Sequence, residues 1–190
     1  MEICEQLCYN HANTTICTDR TVGDKMKILV LSDSHSGLSF MRRCVEKVRP
    51  HAVIHLGDFY DDGEALREYF PHIPFHMVPG NCDRYRCPVG ARELLCYPVG
   101  GVMLFMTHGH NHHVKSGIGA LTADARRFGA QAALYGHTHK AECHQEEDGL
   151  WVLNPGTCGH FGGTAGLIET DGKKISACRI LTEADLAAFV

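Results

Sequence analysis

The stretch "MKILVLSDSH", residues 26–35, decides the expected fold. Its apolar run is continuous rather than alternating, which is typical of a strand buried on both faces of a sheet. We therefore predict a strand over 27–32. Asp33 and His35 follow this strand at once. The polar side chains of this acid and this histidine would therefore lie at the carboxyl end of the strand, where open α/β folds bind their ligands.

The segments that follow alternate between helical and extended patterns. Apolar residues recur at helical spacing over 38–49, and Pro50 ends that pattern. Further strands are expected at 52–56, 75–78, 102–107 and 132–135, and helices at 63–70 and 115–129. Short strands are then expected at 141–146, 150–153, 165–170 and 175–180, before a last helix at 183–189. The expected fold class is α/β, a sandwich of sheets with helices outside.

Composition and charge exclude several classes of function. The chain has 190 residues, a mass of 21.0 kDa and a formal net charge of −4. It has no dense stripe of Lys and Arg, so strong nucleic-acid binding through phosphate neutralisation is not expected. No apolar run reaches the roughly 18–20 residues that span a bilayer, so no membrane association is expected.

The first residues of the chain are polar and lack clear periodicity. We interpret them as an N-terminal extension, 1–25, ahead of a single domain, 26–190. The extension has neither the basic nor the apolar region of a secretory signal. Its side chains of metal-ligand type match no standard zinc spacing; they are Cys4, Cys8, His11 and Cys17. The ten cysteines of the chain include no C-x-x-C pair, so reduced thiols and a cytoplasmic location are expected.

Five of the predicted strands are each followed by residues of metal-ligand type. The segments are Asp33-Ser34-His35, Gly57-Asp58, Gly80-Asn81-Cys82-Asp83, His108-Gly109-His110 and Gly136-His137-Thr138-His139. Because ligands bind outside the carboxyl ends of the strands in such sheets, we expect the five loops to converge. One such loop has an ordinary explanation, whereas five in succession predict a single site.

The chemistry of this set points to divalent metals. Asp and Asn oxygens together with neutral imidazoles suit Mn, Fe, Co, Ni or Zn. Seven ligands are too many for one open site and fit two metals that share a carboxylate. Two metals about 3.5–4 Å apart can hold both the attacking and the leaving oxygen of a phosphoryl displacement.

Taken in order, the motifs DSH, GD, GNCD, HGH and GHTH, with NPGT at 154–157, resemble those of the calcineurin-like metallophosphoesterase superfamily. More narrowly, they resemble its small bacterial and archaeal phosphodiesterases, which are related to the retromer scaffold subunit. The resemblance covers residues 26 to about 182. It implies a four-layer α-β-β-α sandwich of two mixed sheets flanked by helices, with a dinuclear metal site at the loops that follow the strands.

The same resemblance implies a role for each motif residue. One metal is expected on Asp33, His35 and His139, and the other on Asn81, His108 and His137. Asp58 is expected to bridge the two metals, and manganese is favoured ahead of Ni, Co, Fe or Zn. The implied catalytic residues are Asp58, Asn81 and His108, with a metal-activated hydroxide as the nucleophile.

Four residues are candidate substrate contacts: Cys82, Asp83, Arg84 and His110. Cys82 stands where many superfamily members have a histidine that helps the leaving group. A thiol with a reference pKa of about 8.5 is a poor general acid at neutral pH, so that role is not carried over. Assistance from Asp83 through a water stays open, and His110 is equally interpretable as a plain loop residue.

The expected function is hydrolysis of a small phosphate ester, with phosphodiesters favoured. Arg84 and Arg86 could hold a terminal phosphate, so a phosphomonoesterase or pyrophosphohydrolase is the first alternative. A non-catalytic scaffold on the same fold is the second alternative, and the complete ligand set argues against it. The oligomeric state stays open, and a homo-oligomer is compatible with the sequence.

Three polar residues near the motifs have ordinary interpretations. Asp61 and Asp62 are expected at a solvated helix start, where the macrodipole favours acids. Asn154 is equally interpretable as holding a turn near the metals or as part of a simple Asn-Pro-Gly turn.

Overall fold

The computed structural model describes residues 25–159 and 163–189. The predicted extension, 1–25, therefore lies outside the described residues except for Lys25. The side chains of metal-ligand type in that extension lie outside them as well, and they are Cys4, Cys8, His11 and Cys17.

Within the described residues the chain forms ten strands and four α-helices. The strands are β1 (Met26–Leu31), β2 (Ala52–His55), β3 (Phe75–Met77), β4 (Leu94–Val99), β5 (Val102–Thr107), β6 (Ala132–Leu134), β7 (Glu142–Gln145), β8 (Trp151–Asn154), β9 (Ala165–Thr170) and β10 (Ile175–Leu181). The helices are α1 (Leu38–Val48), α2 (Tyr60–Tyr69), α3 (Gly119–Arg127) and α4 (Glu183–Ala188), and His110–His112 forms a 3₁₀ turn.

The strands form two five-stranded sheets, each with parallel and antiparallel pairs. Sheet 1 has the order β10-β9-β1-β2-β3; β1, β2 and β3 run parallel, and β9 runs antiparallel to its two neighbours. Sheet 2 has the order β4-β5-β6-β8-β7; β5, β6 and β8 run parallel, and the two edge strands run antiparallel. In each sheet the parallel strands bring the loops at their carboxyl ends to the same edge.

The side chains of β1 alternate between two hydrophobic layers. Ile28 and Val30 pack between the two sheets, against residues of β5 and β6. Leu29 and Leu31 pack against α1, α2 and α4. A further layer joins sheet 2 to α3 through Phe105. Because both faces of β1 are buried, its sequence is apolar without alternation. The predicted α-β-β-α sandwich of two mixed sheets is confirmed.

The strand β4 was not predicted from the sequence. This strand lies at the edge of sheet 2 and pairs only with β5. An edge strand accepts Pro98, which lacks an amide hydrogen for a neighbour on the second side. The pairing with β5 therefore overrides a local pattern that does not favour a strand.

Two helices begin at residues other than the predicted ones. The first is α2, which begins at Tyr60 rather than at 63 because the amide of Tyr60 donates to Asp83 Oδ1 at 2.9 Å. The second is α3, which begins at Gly119 rather than at 115, after Gly117 with φ of +143°. Such a φ lies outside the helical region, so the helix cannot include this glycine.

Side chains also join the edges of the two sheets. His76 Nδ1 of β3 lies 2.7 Å from Tyr97 Oη of β4, and Cys143 Sγ of β7 lies 3.2 Å from Cys178 Sγ of β10.

All seven cysteines of the described residues are free thiols; the cytoplasmic location stays a prediction. In the parts of the chain that the structure describes, no helix has both the length and the apolar character needed to cross a membrane.

Candidate metal centre

Asp33 lies just beyond the end of β1 and is fully buried. Its Oδ2 accepts hydrogen bonds from Ser32 Oγ at 2.6 Å and from the His137 amide at 3.1 Å. Its Oδ1 lies 3.1 Å from His139 Nε2 but makes no hydrogen bond. A buried carboxylate oxygen without a hydrogen bond is costly, and a bound cation would satisfy it.

Asp33 belongs to a group of four side chains whose ligand atoms lie within 4.8 Å of one another; the others are His35, Asp58 and His139. The Nε2 atoms of His35 and His139 are 3.3 Å apart. Two nitrogens on one tetrahedral ion, each about 2.0–2.1 Å from it, would have a similar separation. The group therefore fits a divalent metal in both chemistry and spacing.

A second group lies beside the first and contains Asn81, His108 and His137. Asn81 Oδ1 lies 3.2 Å from His108 Nε2, and the ring centroids of His108 and His137 are 5.1 Å apart. His108 Nε2 is also 3.5 Å from Asp58 Oδ1. Asp58 thus lies against both groups. The structure brings all seven predicted ligands together, and their division between two metals stays a prediction.

His108 is held in one orientation by the backbone. Its Nδ1 lies 2.7 Å from the carbonyl oxygen of Leu56. Because a carbonyl only accepts, Nδ1 carries the hydrogen, and Nε2 of the neutral ring keeps its lone pair toward Asn81 and Asp58. Metal-binding histidines commonly have such an outer hydrogen bond, which fixes the ring.

Burial sets the protonation states of the candidate ligands. Burial lowers the pKa of His108 to about 4 and is the main cause that lowers the pKa of His35 and His137. Burial also raises the pKa of Asp33 to about 6. Burial by itself would raise the pKa of Asp58. Attraction to His108, the largest of the opposing contributions, and hydrogen bonds with Cys82 bring this pKa below its ordinary value. Around neutral pH these imidazoles are neutral and both acids are ionised, which are the forms that bind divalent metals.

The backbone at the candidate ligands has an uncommon conformation. The angle φ is 52° at Asp33, 40° at His35, 55° at Asp58, 67° at His137 and 59° at His139. These are five of the nine non-glycine residues with positive φ in the described part of the chain. Asp, Asn and His are the side chains most often found there, and such conformations gather at functional sites.

Two motif glycines allow the loops to approach one another. A Cβ at Gly80 would lie 2.2 Å from Asp58 Oδ1. A Cβ at Gly136 would lie 2.0 Å from Ser32 Oγ and 2.7 Å from Asp33 Oδ2. Any side chain at these positions would displace a candidate ligand, so close packing explains both glycines.

Asp83 serves the backbone of the site. It is fully buried, and its two oxygens accept the amides of Tyr60 at 2.9 Å and Gly80 at 2.8 Å. These bonds tie the Asn81 loop to the start of α2. Both carboxylate oxygens are therefore engaged without a substrate, and nothing in this geometry supports the predicted substrate contact.

Asp62 has a role beyond the expected one. Its Oδ2 accepts from Ser34 Oγ and from the Ser36 amide, both at 2.8 Å. Asp62 lies in the first turn of α2, as predicted, and in addition it holds the loop that carries His35. This contact could not be predicted from the sequence, because 26 positions separate Ser36 from Asp62.

Asn154 has both of the roles that the sequence left open, since it forms the Asn-Pro-Gly turn and also supports a loop of the candidate metal centre. Its Oδ1 accepts the Gly156 amide at 2.9 Å, which is the Asn-Pro-Gly turn. Its Nδ2 donates to the Gly136 carbonyl and to Thr138 Oγ1, both at 2.9 Å. The side chain is fully buried. It therefore supports the loop that presents His137 and His139.

Cys82 is exposed next to the candidate ligands. Its amide donates to Asp58 Oδ1 at 2.9 Å, and its Sγ is 3.4 Å from Asn81 Nδ2. Partial desolvation of the thiol against the protein, followed by the hydrogen bond with Asp58, raises the pKa of Cys82 to about 11. The thiol is neutral at physiological pH and too weak an acid to protonate a leaving group efficiently.

The other two candidate substrate contacts lie in different surroundings. The His110 ring has its centroid 5.5 Å from that of His108 and 6.1 Å from that of His137, and its Nδ1 is buried without a hydrogen bond. It therefore adjoins the second group. Arg84 instead lies over the ring of the exposed Tyr85, with 5.5 Å between guanidinium carbon and ring centroid.

Comparisons with known proteins agree with this geometry. The family described as the calcineurin-like phosphoesterase superfamily domain matches residues 26–173. A phosphodiesterase of Methanocaldococcus jannaschii is 28% identical over an alignment of 173 residues, and the match covers 78% of this chain and 96% of the relative. The chain belongs to the calcineurin-like phosphoesterase superfamily, and the resemblance drawn from the motifs is confirmed.

Two solved structures share the fold. A conserved protein of Streptococcus pneumoniae, described as a predicted phosphoesterase, has a TM-score of 0.63 and 23% identity, covering 84% of this chain and 99% of that one. Vacuolar protein sorting 29 of Cryptosporidium parvum has a TM-score of 0.64 and 17% identity, covering 84% and 97%. At these identities the likeness concerns the fold alone.

Proposed function

We propose that the protein is a metal-dependent phosphodiesterase whose seven candidate ligands hold two divalent ions. The observation that carries this proposal is the unsatisfied Oδ1 of buried Asp33, which faces His139 Nε2 at 3.1 Å. Without a cation this buried oxygen has no hydrogen bond. Manganese is favoured, and Ni, Co, Fe and Zn suit the same donors.

The chain's own residues have distinct tasks in this proposal. Asp58 supplies negative charge to both groups of ligands, and the His108–Leu56 hydrogen bond directs Nε2 inward. Asn81 offers a neutral oxygen, which binds a cation without adding charge that would repel an anionic substrate. When bound, the divalent ions lower the pKa of water and neutralise charge that develops on the phosphoryl group.

The pairing of Arg86 favours a diester over a monoester. A dianionic terminal phosphate would be best held by a free guanidinium. Arg86 is already paired with Asp61 Oδ2 at 2.7 Å and lies over the Phe59 ring at 4.2 Å. Arg84 lies over the Tyr85 ring, a contact that leaves its N–H donors available, so it does not distinguish a diester from a monoester. The name of the Methanocaldococcus relative, a phosphodiesterase, also supports this choice.

A non-catalytic scaffold is the competing proposal, because vacuolar protein sorting 29 shares the fold. The candidate metal centre argues against the scaffold proposal. A scaffold has no need of two buried carboxylates and two imidazoles whose ligand atoms lie within 4.8 Å of one another. Metal binding would explain the cost of burying the two carboxylates, Asp33 and Asp58.

The test is an activity panel on metal-stripped protein. Mn, Ni, Co, Zn and Mg are added back one at a time, and bis(p-nitrophenyl) phosphate is compared with p-nitrophenyl phosphate. We expect no turnover without metal and a higher kcat/KM for the diester with at least one ion. A preference for the monoester supports the phosphomonoesterase. No turnover by protein that contains two metals would support the scaffold.

A further inference from the structure

A cleft of about 600 Å³ lies beside the candidate metal centre. It runs between residues 114–118 and residues 135–142. Val114, Ile118 and Tyr135 give it apolar walls, and Lys115 and Lys140 are its cationic residues. Its size falls within the usual range for small-molecule sites.

The cleft and the metal centre share one loop. Thr138 lines the cleft and stands between His137 and His139 in the chain. Lys115 lines the same cleft as Thr138. The cleft and the candidate metal centre therefore meet at this loop.

The two lysines are the unpaired charges of the cleft. Both are exposed, and neither forms an ion pair with any residue that the structure describes. The acid that lines the cleft is Glu142, which accepts a hydrogen bond from Tyr135 Oη at 2.9 Å and pairs with His144 at 3.3 Å. The cleft thus has an excess of positive charge that its own acid does not neutralise.

We propose, resting on the proposed function, that this cleft binds a second phosphate group of the substrate. The substrate class is a phosphodiester that also carries a phosphate monoester, with an apolar or heterocyclic part between the two. One phosphate lies at the metal centre, and Lys115 and Lys140 bind the other. The side chains of Val114 and Ile118 contact the connecting part.

The test uses binding rather than turnover. Calorimetry on manganese-loaded protein compares thymidine 3′,5′-bisphosphate with thymidine 5′-monophosphate. We expect the bisphosphate to bind at least about fivefold more tightly, since two partly exposed charge contacts are added. In the double variant Lys115→Ala/Lys140→Ala this preference disappears, and in Lys115→Arg/Lys140→Arg it is kept. Raising the salt concentration weakens the preference in the wild type.

Lys173→Ala is the matched control, because Lys173 is an exposed lysine on the β9–β10 turn. It should keep the wild-type preference. Equal affinities of the two ligands in the wild type, an unchanged preference in the double alanine variant, or no binding of the bisphosphate would overturn the proposal. The binding measurements need no hydrolysis. They can therefore contradict the second phosphate site while the protein is an active diesterase, and they can support this site while the activity panel shows no turnover.

Discussion

His35 and His139 place their Nε2 atoms 3.3 Å apart although 104 residues separate them in the chain. A hydrogen bond between the two rings requires one Nε2 to carry the hydrogen, so only the other nitrogen then offers a lone pair. A cation between them satisfies both. The approach is enforced by the backbone, since both residues have positive φ and their loops are fixed by Asp62 and Asn154.

Replacement of Asp58 by asparagine should lower the affinity for both metals and abolish turnover. The carboxylate supplies charge to both groups of ligands, and the amide supplies none. Metal analysis after gel filtration, together with diesterase activity, checks this. Asp148→Asn, which alters an exposed acid paired with Arg126, is the matched control and should retain metal and activity. Two metals per chain and near-normal activity in Asp58→Asn would rule out a bridging role.

Replacement of Cys82 by alanine should cost little with good leaving groups. The raised thiol pKa of about 11 keeps Cys82 protonated, but as a weak acid it helps little. General acids typically contribute about 10²–10⁴-fold, so alkyl diesters should be far slower than nitrophenyl diesters. The measurement is kcat/KM across aryl diesters of rising leaving-group pKa, for wild type, Cys82→Ala and Cys82→His.

Cys82→His should help the poor leaving groups selectively, provided that the ring leaves Asn81 in place. A loss of more than about 10²-fold in Cys82→Ala at unchanged metal content would instead give the thiol a direct catalytic role.

A chain that starts at Met26 should fold and remain active. Every described strand and every candidate ligand lies at or after this residue. Residues 26–190 are expressed and compared with the full chain in melting temperature, metal content and diesterase activity. Lost folding or activity would show that the extension contributes to the core or to the site.

Replacement of Asn154 by alanine should weaken both the fold and the metal site. Three hydrogen bonds of a buried side chain are lost, which costs about 1–3 kcal/mol or more in the free energy of unfolding. Urea unfolding of metal-free protein measures this loss, and calorimetry measures the metal affinity. Asn111→Ala, which removes one exposed hydrogen bond to Glu93, should change stability by less than about 0.5 kcal/mol. Unchanged metal affinity in Asn154→Ala would show that the loop keeps its position without this side chain.

His76 should make the protein less stable in mild acid. Burial lowers its pKa to about 4, against about 6.5 in an unfolded chain. Between pH 6.5 and pH 4 the unfolded state binds a proton at His76 and the folded state does not. The free energy of unfolding is therefore highest above pH 6.5 and falls as the pH decreases toward 4. The expected loss at pH 4 is about 3 kcal/mol.

Urea unfolding at pH 7, 5.5 and 4.5 checks the role of His76. In His76→Gln the amide can still reach Tyr97 Oη, and no proton is gained, so the loss of stability on acidification should be smaller. Equal losses in the variant and in the wild type would assign the acid sensitivity to other groups.

Much of the fold could be predicted because burial is encoded locally. The continuous apolar run of β1 indicates two covered faces, and the layers on both sides of it confirm this. The strand β4 could not be predicted, because its edge position and its pairing with β5 depend on a neighbour that the local sequence does not specify. For the same reason the start of α2 was misplaced, since its first amide is satisfied by Asp83.

The sequence by itself determined the ligand chemistry of this protein. Asp, Asn and His residues directly after five strands must meet at the carboxyl edges of the sheets, because strand direction alone places them there. Only the tertiary structure decided what supports and surrounds them. It assigns Asp83 to the backbone and Asp62 to the His35 loop, and it forms a cleft with unpaired lysines beside His137. These contacts join residues far apart in the chain, and their geometry depends on how the two sheets and their loops pack.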